Sequence, residues 1–113
     1  MIKTEFGIID DPEKFDGEYN PRKYHCVFID DELYIDDWWE KLMLMKTYFN
    51  TLDEPEFGLA RYGITLIPPQ SLHILLETVL ADKRLKKDNR LAALAEKINK
   101  AIRQNKYMIH YGI

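Results

Sequence analysis

Cysteine, serine and glycine are scarce in this 113-residue chain, and each scarcity closes a class of chemistry. Cys26 is the only cysteine, which excludes an intrachain disulfide and a cysteine-rich zinc site. Ser71 is the only serine, and no Gly-x-Ser-x-Gly elbow surrounds it. After Pro68-Pro69-Gln70 it is better placed to bond first-turn amides of a helix than to attack a substrate. The five glycines form neither a dinucleotide fingerprint nor a P-loop. His25 and Cys26 are consecutive in an extended run, so their side chains point to opposite faces. No catalytic set, metal site or cofactor is therefore expected. The longest uncharged run, Tyr62 to Leu76, is broken by Gly63 and by Pro68-Pro69, which excludes a membrane span. Met1-Ile2-Lys3-Thr4-Glu5 lacks the apolar core of a signal peptide, so the expected compartment is the cytoplasm.

What is present describes a folded domain. Hydrophobic residues make up 46% and charged residues 31%, a balance that can bury a core. The length suits one domain, residues 1–113. The charge is sorted by half. Residues 1–56 hold fifteen acids and six bases, a net of −9, while residues 57–113 hold four acids and ten bases, a net of +6. Such asymmetry bears on partners and association.

Apolar periodicity gives the order β-β-α-β-α-α-β, an α+β domain of about four mostly antiparallel strands and three helices. Ile2 to Ile8 alternates as a half-buried strand, and Tyr24 to Ile29 reads as a second, more buried one. Asp10 to Lys23, with Pro12, Gly17 and Pro21, reads as a long exposed loop. Trp38, Leu42, Met45, Phe49 and Leu52 recur at helical spacing, predicting a helix that starts with Asp36 or Asp37 as cap and stops before Pro55. Leu59 to Ile67 reads as a strand ended by Pro68-Pro69. Leu72 to Leu80 and Leu91 to Asn105 read as helices, and Tyr107 to Tyr111 as a closing strand.

Ile-Asp-Asp occurs three times, at residues 9–11, 29–31 and 35–37. One reading is topological, with each Asp closing a buried element as a turn acceptor or helix cap. The other gathers the acids at one pole, as a face for a cationic partner. On that reading the binding residues are Asp30, Asp31, Glu32, Asp36 and Asp37, with Tyr34 and Trp39 as exposed apolar anchors. Lys83, Arg84, Lys86, Lys87 and Arg90 have no aromatic residue among them to stack a base, which argues against nucleic acid as partner.

Asp36 to Leu42, Phe57 to Pro69 and Tyr107 to Ile113 together resemble a family of small bacterial single-domain proteins without an established activity. By size and charge the chain is also similar to immunity proteins, which neutralise toxins of contact-dependent or polymorphic systems. That resemblance implies a protein-binding inhibitor whose acidic surface occupies a basic partner, such as the cleft of a nuclease toxin. Two alternatives stand beside it. A metal-dependent hydrolase would need Asp10, Asp30 and Asp36 to converge. Self-association would set the acidic half of one copy against the basic half of another.

Overall fold

The computed structural model describes all 113 residues. Six strands and three helices follow one another as β1 (Lys3–Ile9), β2 (Val27–Asp30), α1 (Asp31–Leu42), β3 (Lys46–Phe49), β4 (Pro55–Phe57), β5 (Ile64–Ile67), α2 (Leu72–Leu80), α3 (Asn89–Gln104) and β6 (Tyr107–Tyr111). The strands form one antiparallel sheet in the order β2-β1-β6-β5-β3-β4. The domain is thus α+β with three helices, but with six strands rather than about four.

One extra strand, β3, comes from the segment expected to be helical up to Leu52, and the other, β4, from the stretch just after it. Asp30, not Asp36 or Asp37, caps α1: its Oδ1 accepts from the Glu32 amide at 3.0 Å. The buried stripe is then Asp31, Tyr34, Ile35, Trp38 and Leu42. Past Leu42 the chain tightens, as the Met45 amide donates to the Leu42 carbonyl at 3.0 Å. Thr47, Tyr48 and Phe49 are β-branched or aromatic and fit a pleated surface, so they turn to β3 and pair with β5. Asn50, at φ 65°, takes the left-handed conformation that starts the turn into β4. Met45, Phe49 and Leu52 matched the helical period by coincidence.

The helices cover one face of the sheet. Phe6, Ile29, Ile67 and Met108 meet Tyr34, Trp38, Leu75, Leu94 and Ile98 in the main core. Its one histidine is His110, which is buried and bonded to Thr4 Oγ1 at 2.6 Å and Thr65 Oγ1 at 3.2 Å. Burial pushes its imidazole down to about 3, so it is neutral at pH 7.

The opposite face carries a smaller core of Ile9, Leu66, Ile109 and Tyr111, packed under Tyr24 with Phe15 beside them. The 10–25 segment therefore works as a cover. The Tyr111 hydroxyl anchors it, donating to the Glu18 carbonyl at 3.0 Å and accepting from the Asn20 amide at 3.2 Å. Gly7 lies beneath, where a Cβ would collide with Tyr24 and Cys26. No helix is long and apolar enough to cross a membrane.

Candidate functional site

Two arginines from the basic half grip α1 from opposite flanks. Arg61 donates from Nε and Nη2 to Asp31, which is 1% exposed, and from Nη1 to Asp36. Its guanidinium lies 5.9 Å from the Trp39 ring centre. The hydrogen bonds to Asp36 and Asp31 raise its pKa further. Arg61 is itself fixed by the chain end, where the Ile113 amide donates to its carbonyl at 2.8 Å.

On the other flank, Arg84 reaches Asp37 at 3.0 Å, Asp82 at 2.7 Å and the Leu33 carbonyl at 2.8 Å, and lies 4.4 Å from the Tyr34 ring centre. Asp82 also accepts from Trp38 Nε1 at 2.9 Å. Its carboxyl is held well below the usual range, first by the Arg84 side chain and then by the Arg84 amide and Trp38, against burial.

This geometry corrects two of the expected partner contacts. Tyr34 is 1% exposed, and its hydroxyl donates to Asp88, so it is a core residue and not an exposed anchor. Burial first, then that hydrogen bond, pushes its phenol up to about 12. Asp31 is likewise interior. Asp30 is partly covered and committed to the helix cap. Glu32, Asp36 and Asp37 are exposed on α1, and Trp39 is half-buried on the Arg61 flank.

The acids do not gather at one pole. Lys3 pairs with Asp30 in the β1–β2 register, so Asp10 and Asp11 lie beyond the other end of β1, roughly 20 Å away. Asp10 is ion-paired to Lys106 at 2.7 Å there, and Asp11 to Lys14 at 3.8 Å. Convergence of Asp10, Asp30 and Asp36 on a metal is overturned by that separation, and no group of three or more His, Cys, Asp or Glu is placed to hold an ion. Burial pushes the Cys26 thiol up to about 12, which removes its thiolate at neutral pH.

No family model, curated protein or solved structure matches this chain.

Two surfaces remain. The outer side of α1 exposes Glu32, Leu33, Asp36, Asp37 and Glu40. It runs into Met43 (43% exposed) and Leu44 (68%), while the exposed Phe57 of edge strand β4 is paired with Lys46 and shares the opposite sheet face with Tyr48. Met43 and β4 adjoin, since a Cβ on Gly58 would meet the Met43 sulfur. Around α1, Asp31 and Asp36 are paired with Arg61, and Asp37 and Asp82 with Arg84, while Glu32 and Glu40 have no ion pair.

The second surface is a groove of about 600 Å³ at the far end of α3, lined by five lysines and His25. Sequence reasoning missed it because its cations come from the 10–25 segment, α3 and the start of β6. The one local signal was Lys97 and Lys100 at i,i+3 on α3, which share a helix side.

Proposed function

We propose that the protein is a non-catalytic binding protein of the inhibitor or immunity type, which sets the outer face of α1 against a basic protein partner such as a nuclease toxin domain. The observation that carries the reading is the exposed apolar pair Met43 and Leu44, next to half-buried Trp39 at the end of a helix that exposes Glu32, Asp36, Asp37 and Glu40. Apolar side chains left together at a surface and rimmed by charge are what an interface requires. Glu32 and Glu40 have no ion pair within the fold, so their charge is free to steer and hold a cationic surface. The Asp36 and Asp37 carboxylates are already bonded to arginines, and a partner's cations would share them.

The test is inhibition. The protein is mixed with cationic nuclease domains of contact-dependent toxins, and both complex formation and nucleic-acid cleavage are followed. A stoichiometric complex that suppresses cleavage, weakened about tenfold or more by Glu32→Lys/Glu40→Lys, is the expected result. Cleavage unaffected across such domains would remove the inhibitor reading.

A further inference from the structure

We infer that the groove at the far end of α3 is a binding site for a compact polyphosphate anion, independent of the α1 face. Lys14, Lys23, His25, Lys97, Lys100 and Lys106 line it, brought from three separate parts of the chain. Two of these charges are matched locally: Lys106 by Asp10 at 2.7 Å and Lys14 by Asp11 at 3.8 Å. Lys23, Lys97 and Lys100 have no carboxylate within 4 Å, so the groove, which Asp10 and Asp11 also line, keeps a surplus of three ammonium groups. Their mutual repulsion disfavours the empty site and is relieved by an anion.

Size and lining select the ligand class. About 600 Å³ lies within the range of small-molecule sites and is too small for a protein domain. Only Ile8, Ile9 and Tyr24 are apolar there, so a ligand gains little from hydrophobic contact and must bind through charge. Lysine ammonium groups meet phosphate oxygens as point charges, and several phosphates in one chain can engage several lysines together.

The backbone supplies a second observation. His25 sits on the groove at φ 50°, a left-handed conformation in which glycine would be less strained. The turn that forces it is closed by the Cys26 amide on the Pro21 carbonyl at 2.9 Å. An exposed imidazole donor is thus held at the lip of the groove at a conformational cost.

The experiment is calorimetric titration of the full chain with inorganic tripolyphosphate at low salt, with a hexaglutamate peptide as a second arm. One-site binding of tripolyphosphate is expected, weakened about tenfold or more in Lys97→Gln/Lys100→Gln, with little change in Lys83→Gln/Lys87→Gln. Far-UV circular dichroism checks that both variants are folded, and backbone amide shifts around His25, Lys97 and Lys100 supply a readout on the wild-type protein alone. Amide shifts confined to the groove support the assignment. Absence of saturable binding, equal loss in both variant pairs, or equal affinity for hexaglutamate would overturn it.

Discussion

Arg61 places two donors on one oxygen of Asp31, Nε at 3.2 Å and Nη2 at 2.7 Å, and thereby joins the two halves of the chain that carry opposite charge. The asymmetry that reads in the sequence as a partner signal is thus partly consumed in folding. Arg61 and Arg84 bind the acidic α1, and Lys106 binds Asp10. What remains is the smaller set of acids with no internal cation, Glu32 and Glu40 on α1 among them.

Breaking that join will destabilise the domain. Arg61→Ala leaves Asp31 inside without its cation, a change that costs about 3 kcal/mol when an interior pair loses one member. Urea unfolding followed by tryptophan fluorescence will show the loss. Arg61→Met with Asp31→Asn should recover part of it, because no charge is then stranded. Equal stability of Arg61→Ala and the parent would show that solvent already satisfies Asp31.

His110 sets a pH dependence. Its pKa is lower folded than unfolded, so the unfolded chain binds a proton that the folded chain refuses. The stabilisation is complete above about pH 6.5 and is lost as pH falls from there toward 3. Between pH 7.5 and pH 5 the unfolding free energy should drop by about 2 kcal/mol more than in His110→Gln. A parent and variant that lose stability in parallel over that window would contradict the assignment.

The Tyr34 hydroxyl contributes through Asp88 rather than through any partner. Tyr34→Phe removes the bond to an ionised carboxylate and should cost about 1.5 kcal/mol of stability. Asp88 keeps its cap on α3, where it accepts from the Arg90 amide at 2.9 Å, so the helix persists. Circular dichroism with thermal melts distinguishes a lower midpoint from lost helix. A variant as stable as the parent would place that hydroxyl in solvent.

Gly112 packs directly against the backbone of Ala60 and Arg61. A Cβ there would overlap the Arg61 carbonyl, which belongs to backbone and cannot swing aside. Gly112→Ala should therefore destabilise by about as much as Arg61→Ala, and adding it to Arg61→Ala should cost less than the two separately. Full additivity in the double variant would show that the loop and the ion pair are independent.

Local pattern fixed β1, β6, α2 and α3 closely, because each keeps one period between clear breaks: alternation in Thr4-Phe6-Ile8, and Leu91-Leu94-Ile98 before Asn105. It failed where two periods overlap. Trp38 and Leu42 continue at helical spacing into Met45 and Phe49, yet Thr47 to Phe49 gain more as a strand beside β5, a long-range pairing no short window reveals. The Asp30 cap was masked by a second Ile-Asp-Asp six residues later. Tyr34 looked exposed among acids because its true neighbours, Trp38 and Asp88, include one 54 residues away. Of the expected site, Glu32, Asp36, Asp37 and Trp39 remain accessible at least in part, while Asp31 and Tyr34 belong to the interior.

The most direct test titrates a bound cationic nuclease domain with the parent protein, Glu32→Lys/Glu40→Lys and Lys97→Gln/Lys100→Gln. Neither α1 glutamate is ion-paired in the fold, and since Glu32 lies in the first turn of α1, circular dichroism checks that the reversed variant is folded before its affinity is read. Affinity about tenfold or more weaker is expected for the α1 variant alone, with the groove variant binding as the parent does. Unchanged affinity of Glu32→Lys/Glu40→Lys would contradict it.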